Sequence, residues 1–196
     1  RCVKVLAIEI DEGLKPILSE TLAEYDNVEI VFADVMKTDL KSLIAEKLDS
    51  FEEIYICANL PYYITSPVIM RLLEERLPIS AVTVMVQKEA AERLCAKPGE
   101  RECGAVTIAV NYYSTPKLLF KVNRGSFMPT PNVDSAVIRL DISREPKFSV
   151  NDEALFFRLV HAAFAQRRKQ MINPLSAALG IDKNELANKM ELCGVK

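Results

Sequence analysis

Histidine, paired cysteines and long apolar runs are all scarce in this chain. His161 stands alone, and the five cysteines (Cys2, Cys57, Cys95, Cys103, Cys193) form no C-x-x-C pair. Both facts argue against a zinc site. An odd number of scattered cysteines fits a reducing cytoplasm. No stretch approaches the roughly 20 apolar residues of a membrane helix. The amino end, Arg1-Cys2-Val3-Lys4, lacks the basic-then-apolar order of a signal peptide. Charge is also nearly balanced, at −2, so any nucleic-acid surface has to be local. What is present, 49% apolar and 27% charged residues in a chain of 196, suits one folded domain with a small appendage.

Apolar runs over residues 3–8, 28–33, 54–58 and 82–86 read as strands. Helical spacing fills 14–25, 39–48, 65–76 and 88–95 between and after them, with Asp39 a cap and Pro67 in a first turn. Lys97-Pro98-Gly99-Glu100 is a turn. Residues 104–113 fit helix or strand, 118–122 a strand, and 135–142 alternate as a strand should. Strands separated by helices at this spacing predict a parallel sheet with right-handed crossovers. Residues 143–151, containing Pro146, form a polar linker. Beyond it, Leu155, Phe156, Leu159, Val160, Ala163 and Phe164 share one face of a helix expected over 152–171. The boundary falls near 146, giving a core over 1–146 and a small all-α unit over 147–196.

Three strand ends carry chemistry. Glu9 closes the first strand and Asp34 the second. A carboxylate at such a tip can accept both ribose hydroxyls of a nucleoside, and Asp34 can accept from an adenine amine. Asn59-Leu60-Pro61-Tyr62 follows the third. Its proline ends the ladder, gathering a carboxamide, a fixed carbonyl and an aromatic ring where α/β sheets bind ligands. Such groups suit methyl transfer to an amino nitrogen of a conjugated ring. Cys57 reads as a small core hydrophobe and His161 as half-buried. Arg167-Arg168-Lys169 is either a solvated helix end or a phosphate clamp.

These residues resemble a known family, the S-adenosylmethionine-dependent amino-group methyltransferases, and within it the rRNA adenine dimethyltransferases. The likeness runs through Ala7-Ile8-Glu9-Ile10-Asp11, Ala33-Asp34-Val35, Asn59-Leu60-Pro61-Tyr62-Tyr63 and Val86-Gln87-Lys88-Glu89. It continues through the Phe127–Val137 stretch (F-M-P-T-P-N-V-D-S-A-V) and Phe164-Ala165-Gln166-Arg167-Arg168-Lys169. It implies an α/β, Rossmann-like methyltransferase sheet with a small C-terminal all-α domain. It further implies that Glu9, with Ile10, holds the cofactor ribose and Asp34, with Val35, the cofactor adenine. Asn59 touches cofactor and target amine, the carbonyl of Leu60 or Pro61 takes the amine's second hydrogen, and Tyr62 and Phe127 stack on the target base. Arg167, Arg168 and Lys169 then contact RNA. The implied activity is N6,N6-dimethylation of adjacent adenines near the 3′ end of small-subunit rRNA. The partner is the immature small subunit, and the enzyme is a cytoplasmic monomer without metal or membrane.

The family also has a glycine-rich loop after its first strand, and none of the six glycines here forms G-x-G. The chain is therefore expected to begin at the family's second strand and to stop before its last helix. By itself it should bind S-adenosylmethionine poorly. Rival readings are an erythromycin-resistance type acting on large-subunit rRNA, a non-catalytic ribosome-assembly factor, and methylation of DNA adenine or a glutamine amide.

Overall fold

The computed structural model describes residues 2–166 and 170–194. Val5–Glu9 (β1) and Val28–Phe32 (β2) pair in parallel, with Glu9 opposite Phe32, across the crossover helix Lys15–Thr21 (α1). Leu40–Leu48 (α2) follows, capped by Asp39, whose carboxylate accepts from Ser42 N at 3.0 Å. A second sheet contains Tyr55–Asn59 (β3), Ala81–Gln87 (β4), Ser114–Val122 (β5) and Ser135–Ile142 (β6), in the order β3-β4-β6-β5. β3 and β4 run parallel, and β6 is antiparallel to both β4 and β5. The expected sheet thus comes in two pieces, because no backbone ladder joins β1 or β2 to β3.

The core lies on one face of the second sheet. Val82, Val84 and Val86 of β4 sit opposite Leu140, Ile138 and Ala136 of β6, all essentially inaccessible. Thr65–Glu74 (α3), Lys88–Cys95 (α4) and Ala105–Tyr113 (α5) bring Val68, Ile69, Leu72, Leu94 and Val110 into the same cluster. The ambiguous 104–113 segment is this last helix. Apart from Thr107 and Asn111 it is apolar, because α3 and α4 pack against it. Its start is tied down by Thr107, which accepts from Gly104 N and donates to Arg93 O at 2.8 Å.

The burial expected of Cys57 needs correction. Cys57 is exposed, because alternation along β3 turns Ile56 and Ala58 inward and leaves Tyr55, Cys57 and Asn59 on the open face. No residue of β1 or β2 is fully buried, though Ile8 packs against the core.

The helix expected over 152–171 is shorter, Glu153–Phe164 (α6), and is followed by Ile172–Leu179 (α7) and Lys183–Leu192 (α8). His161 is exposed rather than half-buried. α6 docks on α5 through edge-to-face and stacked rings of Tyr112, Tyr113, Phe148, Phe156 and Phe157, with centroids 4.9–5.7 Å apart. Glu153 completes the joint. It accepts from Tyr113 Oη at 2.7 Å, from Tyr112 Oη at 3.0 Å, and from Arg76.

Candidate active site

The acids stand side by side. Ala33 N donates to Glu9 O at 2.8 Å, so the end of β1 abuts the segment leading to Asp34. Each carboxylate is partly bent onto its own loop. Glu9 Oε1 accepts from Asp11 N at 2.8 Å, and Asp34 Oδ1 accepts from Met36 N at 2.8 Å. Lys37 Nζ lies 3.6 Å from Asp34 Oδ2. An ionised carboxylate has about four lone-pair sites, so both keep acceptor capacity. Glu9 Oε2 has no partner among the described residues. Ile10 is exposed beside Glu9, while Val35 packs half-buried against the core.

Asn59 ends β3 opposite Met85. Its carboxamide is exposed and makes no hydrogen bond among the described residues. The two backbone carbonyls after it differ. Pro61 O already accepts from Ile64 N at 3.1 Å and from Thr65 Oγ1 at 3.3 Å, closing the turn into α3. Leu60 O accepts nothing from the described residues. An amide oxygen and one open carbonyl therefore sit on consecutive residues, an arrangement able to take both hydrogens of an amino group.

Tyr62 is half exposed, and its hydroxyl is hydrogen-bonded at 3.0 Å to Ser135 Oγ, at a residue that is completely buried. Phe127 lies half-buried in the loop after β5. That loop is clamped by Asp134, whose Oδ1 accepts from Arg124 N at 2.9 Å and whose carbonyl accepts from Lys88 N at 3.0 Å. Two adjacent residues thus bind Tyr62, the Phe127 loop and the start of α4 to one end of β6. The sequence reading gave Asp134 and Ser135 no role of their own. The signal was there: a polar pair directly preceding an alternating strand run has to spend its hydrogen bonds on neighbours. Arg71 offered no such signal, since a cation in the last turn of an amphipathic helix is ordinary. Arg167, Arg168 and Lys169 lie outside the described residues. Among the described residues no three His, Cys, Asp or Glu side chains gather as a metal site. None of their helices is long and apolar enough to cross a membrane.

Acid-tipped parallel strands, an N-L-P-Y turn at the third strand end and an antiparallel closing strand define a Rossmann-like methyltransferase fold. Within that class, the chain belongs to the ribosomal RNA adenine dimethylase family, whose pattern matches residues 1–195. It is 53% identical over 175 residues to a ribosomal RNA small subunit methyltransferase A of Geobacillus thermodenitrificans, covering 89% of this chain and 60% of that protein. Its identity to the Alkaliphilus oremlandii protein of the same name is 51% over 187 residues, 95% of this chain and 65% of the relative. The chain thus spans less than two thirds of the length of these relatives. Among solved structures, a dimethyladenosine transferase from Plasmodium falciparum superposes with a TM-score of 0.70 at 28% identity, over 98% of this chain and 67% of the other. The 23S rRNA methyltransferase ErmE gives 0.69 at 24% identity, over 100% and 75%, a likeness of fold.

Proposed function

We propose that the full-length protein transfers methyl groups from S-adenosylmethionine to N6 of adjacent adenines near the 3′ end of small-subunit rRNA, two per base. The reading is carried by the pair of unoccupied acceptors, the Asn59 carboxamide and the Leu60 carbonyl, in a chain of this family. The adenine N6 lone pair is delocalised into the ring and is a poor nucleophile. Two acceptors on its hydrogens favour a pyramidal nitrogen with a localised pair, which is placement plus electrostatic stabilisation. S-adenosylmethionine, when bound, supplies an electrophilic methyl on a sulfonium. Its ribose diol suits the open Oε2 of Glu9, with Ile10 alongside, and its adenine suits Asp34 and Val35. No strong base is required, because the proton on the methylated nitrogen passes to water.

The target adenine must leave its stack to reach Asn59. Tyr62 and Phe127 are the rings that receive it, each base–aromatic contact being worth about 1–3 kcal/mol. Pro61 serves by shaping the turn, its carbonyl being engaged already. Arg167, Arg168 and Lys169 hold RNA phosphates, and they belong to a unit over 147–196 that follows a core over 1–146. The protein works as a cytoplasmic monomer on the immature small subunit.

The test is methyl transfer from labelled S-adenosylmethionine to immature small subunits, using full-length protein and its Asn59→Ala variant. Loss of one charge-stabilising contact predicts a fall in kcat of about 10²–10³. Full activity in the variant removes Asn59 from its role. Transfer only to large-subunit RNA, or none at all, overturns the substrate or the enzyme assignment.

A further inference from the structure

We infer that Arg71 is a positioning residue for the adenine end of the cofactor site, a proposal that rests on the reading of Asp34 above. Arg71 lies on α3, the helix that begins six residues after Asn59. Its guanidinium is used as a full fork. Nε donates to Glu75 Oε1 at 2.5 Å, Nη1 to Val35 O at 2.5 Å and Nη2 to Thr38 O at 2.6 Å. Val35 and Thr38 belong to the turn that displays Asp34. Within that turn the Asp34 carbonyl accepts from Lys37 N at 2.9 Å, Thr38 N at 3.0 Å and Thr38 Oγ1 at 2.8 Å. The turn is therefore closed on itself through Asp34 and anchored outward through Arg71.

The anchor matters because the turn lies past the end of β2, where no ladder holds it. Among the described residues, the two bonds from Arg71 are the side-chain hydrogen bonds that join residues 2–48 to the second sheet and its helices. A surface arginine paired only with its i+4 glutamate would do nothing of the kind. Here the side chain is 19% exposed, and its planar donors meet two carbonyls at once. A lysine, as a single point donor, cannot span both. One guanidinium thus ties the turn that carries Asp34 to the helix that follows Asn59.

The experiment uses full-length protein as wild type, Arg71→Met and Arg71→Lys, with S-adenosylhomocysteine as the probe. Calorimetry should show about tenfold weaker binding in Arg71→Met and an intermediate loss in Arg71→Lys, with the KM for RNA unchanged. In the ligand-free proteins, amide exchange should quicken at residues 35–38 and stay as in wild type through β3 and β4. Unchanged affinity in both variants overturns the proposal, as does unchanged exchange in the turn. Faster exchange spread across α3, β3 and β4 would mean a general structural role and overturns it too. A wild type that binds no S-adenosylhomocysteine sinks the functional reading and this proposal with it. Wild-type binding with insensitive variants removes Arg71 alone.

Discussion

Replacing Glu153 by alanine should loosen the joint between α6 and the core more than its position on a helix surface suggests. The carboxylate accepts from two tyrosine hydroxyls whose residues are only 2% and 7% exposed, Tyr112 and Tyr113. Each hydroxyl left buried without an acceptor costs about 1–3 kcal/mol. The ion pair with Arg76 is half exposed on the arginine side and adds under about 1 kcal/mol. The expected loss is therefore about 2–7 kcal/mol, a large share of the roughly 5–15 kcal/mol that holds a typical domain folded. Glu153→Gln keeps one acceptor oxygen and should lose about half as much. Urea titration followed by far- and near-UV circular dichroism measures both. Adding Tyr112→Phe and Tyr113→Phe to the Glu153→Ala background should recover most of the loss, because removing both partners is nearly neutral. The pH dependence has a definite sign. Burial raises the Glu153 carboxyl, but the Tyr113 and Tyr112 hydroxyls and Arg76 outweigh it and leave it below the usual carboxylate range. Its contribution is thus complete above about pH 4.3, the unfolded value, and disappears as pH falls through the lowered one. Glu153→Gln should lack that acid-sensitive component. A loss under about 1 kcal/mol in Glu153→Ala, or no recovery with the two phenylalanines, refutes the reasoning.

Two further outcomes follow from single contacts. Ser135→Ala and Tyr62→Phe each remove one hydrogen bond of about 0.5–1.5 kcal/mol. Each should raise the KM for RNA about three- to tenfold without moving the KM for cofactor. The double variant should be no worse than either single one, and additive effects would show that the two hydroxyls do not act together. Burial lifts the Cys95 thiol to about 11, so iodoacetamide at pH 8 should modify exposed Cys2, Cys57 and Cys193 long before Cys95. Rapid labelling of Cys95 in the folded protein, read by peptide mass spectrometry, contradicts that burial.

The sequence by itself determined the order of elements, because each is written in local terms. Asp39 caps α2, an apolar run makes β4, and Pro61 stops β3 wherever those residues are placed. It also determined that Glu9 and Asn59 end strands and that Asp34 closely follows one, since each apolar run stops there. Tertiary structure decided the rest. Cys57 could be placed only once β3 had an inner and an outer face. The helix over residues 105–113, apolar but for Thr107 and Asn111, could be recognised only by what surrounds it. Leu60 and Pro61 were equivalent as acceptors until Ile64 and Thr65 folded back onto one of them. Arg71, Asp134 and Ser135 acquire their roles from partners 36, 10 and 73 residues away, respectively. Local periodicity reports which face a side chain occupies. It carries no information about which distant backbone atom a guanidinium or a hydroxyl will meet there.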